Sequence, residues 1–240
     1  MKSGHIVKSV EDERQRARRA RAEHILDVTA GLLRQHGYKR VTIDDVATGA
    51  GIGKGTVYLH WKTREALFWA VLLREAMRLL EQILAQLAAD PGVALPGPLM
   101  RAIFLEARRR PLVLALLLSD TEVLGSLAKD PAVTEAQREL AGNVNYLELL
   151  AGHGLLRPGL TPAAAGYLLG SVMRGFFSES GESNDSNAEH ADLLRDLLER
   201  GLEADGPAPD DAVAALAAEV TELFTSIVTV QRAQLERAYA

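Results

Sequence analysis

The chain has 240 residues, of which 48% are hydrophobic and 25% charged, and carries a net charge of −5. That length accommodates one or two domains with a sizeable core. It has no cysteine, which excludes disulfides, thiolate metal sites and cysteine nucleophiles and fits a reducing cytoplasm. The N-terminus is polar and shows no signal peptide, and apolar runs such as Leu112–Leu118 are too short to span a bilayer, so a soluble cytoplasmic protein with no membrane partner is expected.

The charge is unevenly placed. Residues 1–70 carry 13 Lys/Arg against 8 Asp/Glu, and residues 71–240 carry 14 against 24. A basic front end on an acidic body suggests an anionic partner for the front end alone, although uneven surface charge would give the same counts.

Residues 1–13 read as a flexible polar tail. Helical periodicity starts near Arg14, with Ala22, Ile25, Leu26, Ala30, Leu32 and Leu33 at three- and four-residue spacing, and Gly37 ends the helix. Thr42-Ile43-Asp44-Asp45 reads as a helix start, with Thr42 as cap and Asp45 at the capping-box position. Val46, Ala47 and Ala50 form the apolar face, and Gly49, Gly51 and Gly53 break the helix. Lys54–Trp61 forms a second short helix. Thr63 then caps a long one, whose face carries Leu67, Phe68, Val71, Leu72, Ala76, Leu79, Leu80 and Ile83.

Two short helices joined by a Gly-bearing turn over Thr42–Phe68 make a helix-turn-helix. Ala47 must be small because the second helix crosses there, and Gly51 supplies the positive φ that reverses the chain. Ile52, Val57 and Trp61 bury the underside, which leaves Lys54, Thr56, Tyr58 and His60 expected on the outer face. An ordinary helical hairpin with a polar exterior would fit this pattern too.

After Asp90-Pro91 and Pro96-Gly97-Pro98, helices are expected at 97–109, 111–126, 131–153, 161–180, 188–203 and 210–238. Asp130-Pro131 and Thr161-Pro162 each pair a cap with proline at the first helical position. Gly181–Asn187 reads as a polar loop. No strand-like alternation of useful length and no internal repeat occurs, so the fold class is all-α. It comprises a helix-turn-helix, three-helix domain over 14–62 and a larger helical domain over 63–240.

The succession His36-Gly37-Tyr38, Val41–Ala47, Ala50–Tyr58 and His60–Leu67, behind a basic first helix, resembles the tetracycline-repressor (TetR) family over about Arg18–Val71. Trp61 stands where that family usually has Phe, and Gly53 where Ser or Thr is common, which removes one possible phosphate contact. The resemblance implies that helix 54–60 is a recognition helix in the major groove. Lys54 and Thr56 would meet base edges, and Gly55 would let the backbone approach the DNA. Tyr58 and His60 would bond phosphates, and Thr42 and Lys62 would grip phosphates at helix starts. Arg14, Arg16, Arg18, Arg19 and Arg21 either add phosphate contacts or form a solvated helix end.

The resemblance fades after residue 75. Ile103–Ala107, Leu112–Leu124 and Asn143–Leu150 are apolar enough to surround a cavity. Candidate lining residues are Phe104, Leu117, Val123, Tyr146, Leu150, Met173 and Phe176 or Phe177, with Asp120, Asn143, Asn145 or Arg174 as polar anchors. A filled core is the competing reading for each. Aromatic residues make up 5% of the chain, which favours an aliphatic pocket for a lipophilic effector. Helices 161–180 and 188–203 resemble the family's dimerising pair. The helix at 210–238 lies beyond the point where many members end, and either widens the dimer interface or covers the pocket.

The function implied is a homodimeric, sequence-specific transcriptional regulator at the nucleoid. It would repress from a palindromic double-stranded operator and be released by a small molecule. No cofactor, metal or catalytic residue is called for. A ligand-independent regulator and a protein–protein adaptor on the same fold stay open, and an enzyme finds no supporting motif.

Overall fold

A computed structural model describes residues 3–118, 120–129, 144–179 and 184–239. Eleven α-helices are seen among them: α1 (Ser3–Arg40), α2 (Ile43–Gly49), α3 (Lys54–His60), α4 (Arg64–Ala89), α5 (Pro96–Arg108), α6 (Pro111–Leu117), α7 (Thr121–Leu124), α8 (Val144–Gly152), α9 (Pro162–Ser178), α10 (Asn184–Leu202) and α11 (Asp210–Tyr239). Short 3₁₀ turns lie at Pro91–Ala94 and Gly125–Lys129. An antiparallel bridge pairs Leu156 with Glu203, and no strand occurs among the described residues.

The chain divides into two compact units, Met1–Arg74 with Gln231–Ala240, and Glu75–Val230. The expected division fell at residue 62, with everything after it in the second domain. The first turns of α4 and the C-terminal turns of α11 instead belong to the first unit.

In the first unit, α1 buries Ala22, Ile25, Leu26, Thr29, Ala30 and Leu33, one helical stripe, and exposes Arg14, Arg16, Arg18, Arg19 and Arg21. Its helical backbone already starts at Ser3, not near Arg14, so the expected flexible tail is helical from that residue. At Gly37 φ is +71°, which breaks the helical path before Arg40. Val46 and Ala47 of α2, Val57 of α3 and Leu67, Phe68 and Val71 of α4 are buried in the same unit. Arg74 of α4 is buried as well, and bonds Glu23 at 3.0 Å and Asp27 at 2.9 Å on α1. A buried guanidinium requires such partners, and removing them would leave an uncompensated charge. The C-terminal segment of α11 joins the unit through buried Gln231 and Leu235 and through Glu236, 3.5 Å from Arg19.

In the second unit, α5 packs against α10. They approach closely at Gly97, where a Cβ would lie 2.6 Å from Glu199 Cγ and 3.0 Å from the Arg195 carbonyl oxygen. The Gly97 amide donates to Glu203 Oε1 at 2.9 Å. Burial pushes the Glu203 carboxyl up from its ordinary pKa, and the Gly97 bond opposes that shift. The core gathers Leu79 and Ile83 of α4, Leu99 and Phe104 of α5, Val113 of α6, Tyr146 and Leu150 of α8, Leu169 and Phe177 of α9, Leu194 and Leu198 of α10, and Leu216, Val220 and Phe224 of α11.

Several element boundaries differ from those expected. The helix expected at 111–126 is split, because the chain turns after Leu118 and Asp120 starts a new helix, accepting from the Val123 amide at 3.2 Å. Thr161 caps α9 as expected, accepting from the Ala164 amide at 3.2 Å ahead of Pro162. α10 begins at Asn184, inside the expected polar loop. Asp130-Pro131 and most of the helix expected at 131–153 lie outside the described residues. By length and composition Asp210–Glu236 could cross a membrane, contrary to the expectation that no apolar stretch is long enough. One stripe of that helix is packed into the second unit's core.

Candidate nucleic-acid interface

The interface is built on α2, α3 and the start of α4. Thr42 and Asp45 close a reciprocal capping box: the Asp45 amide donates to Thr42 Oγ1 at 3.2 Å, and the Thr42 amide and hydroxyl both donate to Asp45 Oδ2 at 2.8 Å. These bonds hold the Asp45 carboxyl below its ordinary pKa. The Thr42 hydroxyl proton is therefore engaged within the chain. Gly51 takes φ +65° at the turn, and the Ile52 amide donates to the Ala47 carbonyl at 3.0 Å, so α3 starts at a fixed angle to α2.

α3 buries Val57 and presents Lys54, Gly55, Tyr58 and Leu59 to solvent, with Thr56 half-buried. A Cβ at Gly55 would meet nothing within 4 Å among the described residues, so the chain's own packing does not require glycine there. Lys54 Nζ lies 2.9 Å from Asp44 Oδ2 of α2, and that carboxylate raises the lysine pKa, through its hydrogen bond first and its charge second. Lys62 is exposed just ahead of α4, whose first turn is capped by Thr63, accepting from the Ala66 amide at 3.0 Å.

The start of α4 is held to the end of α1 by four contacts. The Tyr38 hydroxyl donates to Glu65 Oε1 at 3.1 Å. Arg64 donates to the Tyr38 carbonyl at 2.8 Å, and its guanidinium lies 4.4 Å from the Tyr38 ring centroid. The Tyr38 ring stands edge-on to Phe68, with centroids 5.3 Å apart.

His60 departs from the expected outward face. It is buried, with its ring 5.3 Å from that of Trp61. The reason lies in helical spacing: residues 57, 60 and 61 stand at i, i+3 and i+4 and share the inner face. Burial first, then the charges of Arg18 and Arg21, push its pKa below the ordinary histidine value. Leu59, which the sequence reading passed over, is 66% exposed instead. It stands at i+3 and i+4 from Thr56 and Gly55, where an apolar side chain could meet a thymine methyl group. The signal was a leucine at a position the buried stripe does not use.

The candidate effector residues lie in the second unit. Phe104, Tyr146, Leu150 and Phe177 are buried in its core, with Leu117, Met173 and Phe176 packed against it. Phe104 stacks on Phe177 with centroids 5.6 Å apart and meets Phe176 edge-on at 6.4 Å. Three of the chain's five phenylalanines thus converge there. The Tyr146 hydroxyl donates to the Ala94 carbonyl at 2.9 Å. Asp120 caps α7, Val123 is half-buried, Asn145 is exposed, and Arg174 is exposed 3.4 Å from the Ser171 hydroxyl. Asn143 lies outside the described residues. No group of three His, Asp or Glu side chains among the described residues is placed to hold a metal.

A short capped helix, a glycine turn and a second helix with an exposed polar face, held on a three-helix core, define a helix-turn-helix domain. Residues 25–71 match the family described as bacterial regulatory proteins, tetR family. The chain is 32% identical over 125 residues to the HTH-type transcriptional regulator AlkX of Mycobacterium tuberculosis (strain ATCC 25618 / H37Rv), a match covering 50% of this chain and 59% of that one. It therefore spans about three fifths of that relative's length. Identity to the HTH-type transcriptional regulator AcrR of Shigella flexneri is 27% over 198 residues, covering 75% of this chain and 88% of that one. The fold is shared with the fatty acid degradation regulator FadR from Bacillus halodurans, at a TM-score of 0.54 and 17% identity over 75% of this chain and 98% of that one.

Proposed function

We propose that this chain is a homodimeric transcriptional regulator that reads a (pseudo)palindromic operator through α3 and is released from it by a small lipophilic effector held in the second unit. The observation that carries the reading is the outer face of α3. Lys54, Gly55 and Tyr58 are exposed on it, with Thr56 half-buried beside them and Lys62 just beyond, and at Gly55 nothing among the described residues fills the space a side chain would take. Lys54 and Thr56 are assigned to base edges, Gly55 to close backbone approach, and Tyr58, Thr42 and Lys62 to phosphates. His60 is reassigned to supporting the inner face.

Dimerisation is assigned to α9 and α10. Tyr167 and Leu168 on the first, and Leu193 and Leu197 on the second, are large apolar side chains exposed at 75%, 44%, 61% and 48%. A second copy placed by a two-fold axis would cover them, and the half-sites of a (pseudo)palindromic operator stand one DNA turn, about 34–36 Å, apart. Release requires an effector that favours the non-binding state. α4, which begins just after Lys62, is one of the two helices whose residues are divided between the units.

A second reading, regulation without a small molecule, is favoured by one observation. Phe104 packs ring against ring with Phe176 and Phe177, and the buried Tyr146 hydroxyl is taken up by the Ala94 carbonyl, as in a filled core. Selection of bound sequences from random duplex DNA at near-physiological salt tests the main reading. A two-fold symmetric motif is expected, and a folded dimer that enriches nothing would overturn it. Thermal shift of the same protein against lipophilic compounds separates the two readings of the second unit.

A further inference from the structure

Lys54 of the reading face is joined to Asp44 of α2. Lys54 is the first residue of α3, and Asp44 lies in the first turn of α2. Nζ and Oδ2 are 2.9 Å apart, and the two side chains are 50% and 68% exposed. Asp44 is free of the helix's own capping, since Asp45 fills that role. The pair therefore stands at the surface that would face DNA, carrying no net charge.

An ammonium alone is a point charge, drawn to the phosphates of any sequence. A carboxylate beside it repels an approaching phosphate and offsets that attraction. Base edges behave differently: guanine offers two uncharged acceptors, O6 and N7, in the major groove. An ammonium has three N–H donors, so one can stay with Asp44 while the others meet guanine. Adenine presents N7 beside a donor amino group and fits the ammonium less well. We propose that Asp44 is a specificity-determining residue, which suppresses the sequence-independent pull of Lys54 on phosphate and reserves that lysine for a guanine in each operator half-site.

This inference rests on the DNA-binding reading above. Its test uses the full-length chain and fluorescently labelled duplexes, one of scrambled sequence and one carrying the selected motif, titrated across salt concentrations. Asp44→Asn should tighten binding to the scrambled duplex by a factor of up to about five, the worth of one exposed ion pair. It should steepen the salt dependence by about one phosphate's contribution, near 0.9 in slope. It should also weaken the guanine preference at one position of the selected motif. In a Lys54→Ala background the same substitution should do none of this. An Asp44→Asn protein that matches wild type in affinity and slope overturns the inference and leaves DNA binding standing. So does an effect of equal size without Lys54, which would reduce Asp44 to a general repulsive charge. A wild-type chain that binds neither duplex removes the DNA-binding reading and this inference together. Circular dichroism of each variant confirms that α2 has kept its helix.

Discussion

Gly49 at the end of α2 faces Val28 of α1 so closely that a Cβ built on it would lie 2.8 Å from Val28 Cγ1. Glycine here is set by helix crossing, where the sequence suggested only a helix breaker. Gly49→Ala must push Val28 or α2 aside, at an expected cost of about 1–3 kcal/mol to the first unit. Val28→Ala in the same chain should recover most of it. Both tryptophans, Trp61 and Trp69, belong to this unit, so denaturant unfolding followed by their fluorescence reports it. Non-additivity of the two substitutions is the expected signature.

Gly55 is the opposite case. A methyl group there meets open space, and replacing a helical glycine with alanine stabilises by up to about 1 kcal/mol. Gly55→Ala should therefore leave the melting temperature unchanged or raised while operator binding falls at least tenfold. Unimpaired binding would show that the backbone of α3 does not approach the DNA.

Buried His60 makes the first unit sensitive to acid. Its pKa in the folded chain is lowered, so between that value and the ordinary one near 6.5 the unfolded chain binds more protons. Stability thus rises with pH, and falls as pH drops through 6.5. Wild type should lose stability from pH 7 to pH 5.5 more steeply than His60→Gln, measured by the same fluorescence titration. Parallel slopes for the two proteins would count against a desolvated imidazole.

The terminal turns of α11 belong with the first unit, and Leu235 is their buried apolar anchor, 5% exposed. Leu235→Ala should lower the stability of the tryptophan-reporting unit by about 2 kcal/mol. Val230→Ala, at a position 57% exposed, should change it by about 0.5 kcal/mol or less. Equal effects from the two would detach the C-terminal segment from the unit.

Local chemistry accounts for what was legible in the sequence. Thr42 with Asp45, Gly37, Gly51 and Thr161-Pro162 each announce a backbone event that their own atoms perform, and each occurs where expected. Pairings between residues distant in sequence carry no such mark. The burial of Arg74 depends on Glu23 and Asp27, the Lys54–Asp44 pair on the angle between two helices, and Gly97 on the crossing of α5 and α10. His60 is a different case. Its polarity points outward, but its i+3 position from Val57 points inward, and the spacing prevails. For Phe104, Tyr146, Leu150 and Phe177 the sequence signal is apolarity, which core and pocket residues share equally.

The most direct test of the account compares Lys62→Ala with Thr56→Ala on the selected operator and on single-base variants of it, across salt. Lys62→Ala should weaken every sequence alike and flatten the salt dependence by about 0.9 in slope, the share of a single phosphate. Thr56→Ala should leave that slope in place and relax base preference at one position by about 1 kcal/mol or more. Two variants that weaken all sequences equally, with unchanged slopes, would contradict a reading head built on α3 with a phosphate grip at the start of α4.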